Sequence, residues 1–143
     1  MFEMMLHWLT EYRAVIHLIL HVLVPFLVAI IGSKLCANVE HKKRWLFVFI
    51  VLMLTMLVDI DHLIADPIYA PGRCSIWFHP LHTFWPMLVY VCMMLWPLLL
   101  KIRIVKRNVH GALNKHYVVG LLGLGLVIHM LLDWFDCLWM QVC

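Results

Sequence analysis

Four apolar stretches constrain this chain more than any other feature. They run over about residues 14–33, 45–64, 82–100 and 117–140 of the 143-residue sequence. Each approaches the roughly 20 apolar residues that a helix needs to cross the hydrocarbon core of a bilayer. They are too long for strands and show no period-two alternation. In lipid, a helix has the advantage of satisfying its own backbone hydrogen bonds. The fold class expected is therefore all-α, a polytopic membrane bundle of four transmembrane helices in one domain, 1–143. Composition agrees, with 65% hydrophobic and 13% charged residues, where a soluble domain has about half and about a quarter. Pro25, Pro86 and Pro97 are expected to bend helices one and three.

The placement of charge sets an orientation. Nine of the eleven Lys and Arg fall in two connections, 34–44 and 101–116. The positive-inside rule puts those connections in the cytoplasm. Both termini and the loop 65–82 then lie on the outer side of a bacterial inner (cytoplasmic) membrane, facing the periplasm or exterior. Residues 1–13 lack the basic cluster of a cleavable signal. They read as an interfacial segment, with Phe2, Leu6 and Trp8 dipping into lipid. No basic stripe with interleaved aromatics points to nucleic acid, so the bilayer is the first partner expected.

Ten histidines are an unusual load for so apolar a chain, and they are not scattered. Helix one carries His17 and His21 on one face, at i, i+4. Helix two ends in Asp59-Ile60-Asp61-His62, with Asp59 and His62 sharing a face and Asp61 pointing about a third of a turn away. The outer loop ends in His79-Pro80-Leu81-His82. Helix four carries His129, Asp133 and Asp136 as one stripe. With the topology above, all four elements bring these groups to the outer level of the bilayer, and the inner halves have no counterpart.

Taken singly, each motif has a plain structural reading. His17 and His21 suit an interface or a packed core, and HPLH suits a loop turn. Acids at a helix C-terminus fit poorly with the helix dipole. Ionisable groups inside an apolar helix fit poorly with lipid. Together, imidazole and carboxylate suit a divalent metal, zinc first, with manganese or iron as alternatives. Two or three ions are expected, with Asp61 or Asp133 as a bridge. Gly120, Gly123 and Gly125 lie inside an apolar helix and read as close helix packing rather than a phosphate loop. Cys74 and Cys137 both map to the outer side, either as a disulfide or as two thiols.

The order of a helical His, then DIDHLIADPIYAPGRCSIWFHPLH, then HMLLDWFDCLW resembles the YdjM-like membrane-bound metal-dependent hydrolases. It is also similar to a group of short bacterial membrane proteins. The resemblance runs from His17 to Trp139. By position it implies His21, Asp59, Asp61, His62, His79, His82, His129 and Asp133 as metal residues. Two features depart from the larger family: two residues rather than four separate the paired histidines, and Thr83 rather than Ser follows His82. The wider family is distantly similar to zinc-dependent phospholipases C, which implies phosphoester hydrolysis.

The expected function is a membrane-embedded metal-dependent hydrolase acting on a phosphoester or related bond of a lipid or other amphiphile at the outer face. Metal ligands are expected among His17, His21, Asp59, Asp61, His62, His79, His82, His129 and Asp133. Catalytic roles fall to Asp61, Asp133 and Asp136, with Asp136 or His17 as a general acid or base. Arg73 and Thr83 are expected to meet the substrate. The alternatives are a non-enzymatic metal-binding or transport protein and a tetraspan whose fold is stapled by metal.

Overall fold

The computed structural model describes residues 12–35, 41–64, 66, 73–104 and 115–142. The interfacial segment ahead of Tyr12 and most of the basic connections, including Lys106, Arg107 and His110, lie outside the described residues. The described residues form four α-helices: α1 (Arg13–Leu35), α2 (His41–Leu54), α3 (Phe84–Ile104) and α4 (Lys115–Val142). A 3₁₀ segment, Thr55–Ile64, continues α2, and a short 3₁₀ turn, Pro80–His82, precedes α3. No strand occurs among the described residues.

Among the described residues, three helical stretches are long and apolar enough to cross a membrane: Arg13–Ser33, Arg44–Ile64 and Lys115–Met140. The apolar run of α3, Phe84–Leu100, is shorter, because the HPLH sequence forms its own turn rather than the start of the helix. Pro86 therefore sits in the first turn of α3, where its missing N–H costs little. Pro25 and Pro97 lie inside α1 and α3, which run on through them. Only 17% of the apolar window of α1 is buried within the chain. Its outward Leu18, Ile19, Val22, Leu23 and Leu27 are exposed, a contiguous apolar surface that water does not favour.

Helix α4 is the hub and packs against the other three. Close contacts give the directions. Gly120 abuts Pro97, and Gly123 abuts the backbone of Met93 and Met94, so α3 and α4 run antiparallel. Gly125 abuts Thr55 and His129 meets Asp59, so α2 and α4 run parallel. Added Cβ atoms at Gly120 and Gly123 would overlap α3, which is why the helices approach so closely there. Below this level Ala29, Val48, Val51, Leu52 and Leu121 form an apolar core.

The tightening of α2 into a 3₁₀ segment has a local cause. The Thr55 hydroxyl donates to the Leu52 carbonyl at 2.6 Å, and back-bonding of this kind distorts an α-helix. In a 3₁₀ helix, residues i and i+3 eclipse. Thr55, Val58 and Asp61 are accordingly buried in one row. That row carries Asp61 inward, to 2% exposure, a placement that an α-helical period does not give.

At the same end of the bundle as His129 and Asp133, Cys74 and Cys137 are joined in a disulfide, with Cα atoms 5.2 Å apart. It pins the loop to α4. The turn that follows includes Trp77 at φ 70°, a left-handed conformation that costs a residue with a Cβ about 1–2 kcal/mol. The Trp77 N–H donates to the His82 carbonyl at 3.2 Å, and the His79 N–H donates to the Ser75 carbonyl at 3.3 Å. The Tyr90 hydroxyl holds the Leu81 carbonyl at 3.1 Å. These bonds deliver His79 and His82 to the end of the bundle.

Candidate metal centre

The four polar motifs converge into three groups of donor atoms, each group within 4.8 Å. The first is Asp59, His82, His129 and Asp133; the second is His17, His21 and Asp133; the third is Asp61, His62 and His79. All nine residues expected as ligands are therefore in one layer. His21, Asp61, His79, His82, His129 and Asp133 are each at most 4% exposed. Burying this many ionisable groups is unfavourable unless they are compensated.

Asp133 lies at the junction. Its Oδ1 is 3.3 Å from both His17 Nε2 and His21 Nε2. Its Oδ2 is 3.1 Å from His82 Nε2 and 3.5 Å from His129 Nε2. Asp59 Oδ1 faces the same two rings, 3.4 Å from His82 Nε2 and 3.0 Å from His129 Nε2. Donor atoms about 2.0–2.1 Å from a tetrahedral zinc lie about 3.3 Å from one another. The spacing within the first two groups matches that edge.

The far sides of two rings fix which nitrogen is free. His21 Nδ1 lies 3.0 Å from the His17 carbonyl, an acceptor only, so Nδ1 carries the proton. His82 Nδ1 lies 3.2 Å from Asp61 Oδ2 and donates to it. Carboxylate–histidine pairs of this kind orient metal-bound imidazole. The opposite nitrogens, His21 Nε2 and His82 Nε2, are buried without a hydrogen-bond partner, as is Asp133 Oδ2. Both nitrogens lie close to the Asp133 carboxylate, at 3.3 Å and 3.1 Å, but without the alignment of an N–H···O bond. Unpartnered buried donors and acceptors are rare, and a divalent cation is what this donor set fits. These buried clusters could hold a metal ion.

Asp61 links the groups. Its Oδ2 accepts from the Leu81 N–H at 2.9 Å as well as from His82, and its Oδ1 lies 3.1 Å from His62 Nδ1. His62 and His79 stack, with ring centroids 3.7 Å apart. Burial first, then the neighbouring His62, hold His79 below the ordinary imidazole value, which keeps its ring neutral with a lone pair to offer.

The remaining expected residues lie around the layer. Asp136 is paired with Arg13 at 3.4 Å and is 4.0 Å from His17 Nδ1. Arg73 lies over the Phe78 ring, 4.3 Å from its centroid, and is close enough to depress His79. The Thr83 hydroxyl donates to the Pro80 carbonyl at 2.9 Å and so braces the HPLH turn. Sequence reasoning missed three participants. Arg13 was grouped with the interfacial segment, yet it reaches Asp136. Ser75 Oγ lies 3.2 Å from His62 Nε2. Tyr90 holds the HPLH turn through the Leu81 carbonyl. Of the three, only Ser75, next to Cys74 in the loop 65–82, has a positional signal in the sequence.

The chain belongs to a family of unknown function (DUF6122), whose model matches residues 11–140. No curated protein and no solved structure matches it.

Proposed function

We propose that this protein is a membrane-embedded metal-dependent hydrolase with a pair of divalent ions sharing Asp133. Its substrate is a phosphoester or related bond of a lipid at the outer face of a bacterial inner membrane. The observation that carries the metal reading is the set of unpartnered buried atoms, His21 Nε2, His82 Nε2 and Asp133 Oδ2, with both imidazole nitrogens at coordination-edge distance from the Asp133 carboxylate, 3.3 Å from Oδ1 and 3.1 Å from Oδ2. One ion would be held by Asp59, His82, His129 and Asp133, the other by His17, His21 and Asp133. Zinc suits this mixed imidazole and carboxylate set, and manganese or iron are the alternatives.

Bound ions at such a site supply Lewis acidity and lower the pKa of water. The protein's own residues do the rest. Asp61 and the His17 carbonyl fix the tautomers of His82 and His21. Asp133 holds the two groups in register. Asp136, outside the three donor groups and 19% exposed at the side chain, stands where a proton can pass to or from a leaving oxygen. Arg13 and Arg73 supply positive charge on either flank for an anionic headgroup.

The resemblance to YdjM-like hydrolases supports the hydrolytic reading, and the membrane supports a lipid substrate. The outer location draws on two independent features: the crowding of basic residues into the other two connections, and a Cys74–Cys137 disulfide that an oxidising compartment favours. The test is phospholipid in mixed micelles, with released headgroup phosphate followed by ³¹P NMR. Turnover is expected with zinc or manganese, abolished by chelation and by His129→Ala. Metal binding without turnover on any phospholipid class would favour the transport or structural reading.

A further inference from the structure

The third donor group differs from the other two in ways that bear on how it is used. It shares no ligand with the Asp133 groups. Its His62 side chain is 31% exposed, comparable to Asp59 at 38% and His17 at 29% in the other groups, so each group has one ligand that solvent reaches. Like the group of His17, His21 and Asp133, it offers three protein donors, the number typical of a site that keeps a position open. His79 is 2% exposed, and its Nδ1 is buried without a partner. His62 Nε2 is already engaged by Ser75 Oγ at 3.2 Å. With that nitrogen donating its proton to Ser75, His62 Nδ1 turns its lone pair toward Asp61, Asp59 and the group. Ser75 is itself fixed, since the preceding Cys74 is tied to α4.

We propose that Asp61, His62 and His79 form a separate divalent-cation site on the open flank of the layer. Ser75 orients His62 toward it, and an ion there exchanges independently of those at Asp133. This rests on the metal reading above and deepens it, because it assigns a position that exchanges on its own, sharing no ligand with the pair at Asp133, to one named group. Ser75 acts through His62 and is a positioning residue. Asp61 has a double part. One oxygen serves this group, and the other holds His82 in the buried one, so Asp61 variants cannot separate the two.

The test is zinc release from the purified full chain in detergent. Protein loaded with zinc is mixed with excess chromophoric chelator, and release is followed in time. The wild type is expected to release one ion fast and two slowly. His79→Ala should lack the fast phase and keep the slow pair. Ser75→Ala should weaken the fast ion about 10–100-fold, the usual cost of losing an outer-shell partner, and Ser75→Thr should restore it. Asp133→Asn should lose the slow pair. A single release phase, or a zinc count unchanged in His79→Ala, overturns this proposal and leaves the buried pair standing. Loss of every ion from both His79→Ala and Ser75→Ala overturns the independence. A wild-type chain that takes up no zinc overturns the metal reading itself.

Discussion

Along α4, Gly120 and Gly123 meet α3, and Gly125 meets Thr55, with no side chain of their own between them. One turn beyond, the same helix meets three elements through His129 and Asp133, which are buried and polar. The glycine level is held by close backbone approach and by an apolar core of Ala29, Val48, Val51, Leu52 and Leu121. Those contacts are short-ranged, non-directional and indifferent to pH or metal. The histidine level has its stability tied to whatever compensates its charge, because removing one partner of a buried ionic set leaves the others unpaired. One helix thus combines a level held by packing with a level whose stability is conditional on what compensates its charge.

Substitutions that separate the two levels sharpen this contrast. Asp133→Ala is expected to have the largest effect. It removes the junction of two donor groups and should cost about 3–5 kcal/mol, with both buried ions lost, as read by unfolding in detergent and by elemental analysis. The double variant Cys74→Ser, Cys137→Ser should cost about 2–4 kcal/mol. It loosens the turn that carries Ser75, His79 and His82, so weaker metal retention should accompany it. Gly123→Ala should cost about 1–3 kcal/mol by overpacking against α3, but with metal content per folded chain unchanged. Asp136→Asn should be the mildest. Its partly exposed pair with Arg13 is worth at most about 1 kcal/mol, and the ion count should stay that of the wild type. If Gly123→Ala emptied the site, or Asp133→Ala left it full, the division into two levels would be wrong.

Much of this organisation was readable from residue order, for a physical reason. Apolar length marks a spanning helix, and the sorting of Lys and Arg gives each helix a direction. Those two facts together bring His17, His21, Asp59, His62, His82, His129 and Asp133 to one depth. What sequence did not supply depends on departures from regular geometry. An α-helical period turns Asp61 away from Asp59 and His62, but back-bonding by Thr55 tightens the helix and carries Asp61 into the core. The HPLH turn stands apart from α3 because its backbone bonds run to Ser75 and Trp77, and no periodicity encodes such a turn. Ser75 and Arg13 are reached only through those tertiary placements. Asp136, grouped in sequence with His129 and Asp133, sits at the rim with Arg13, because a stripe at i, i+4, i+7 extends beyond the layer where the other elements end.

The measurement that bears most directly on the central claim is the metal content of the detergent-purified chain, determined by elemental analysis beside His129→Ala and Asp133→Ala. The account predicts at least two zinc, manganese or iron ions per wild-type chain, and fewer in both variants, with the greater loss in Asp133→Ala. A folded wild-type chain that holds no metal, even after reconstitution with each ion, would contradict it. The layer would then be a network of protonated imidazoles and carboxylates.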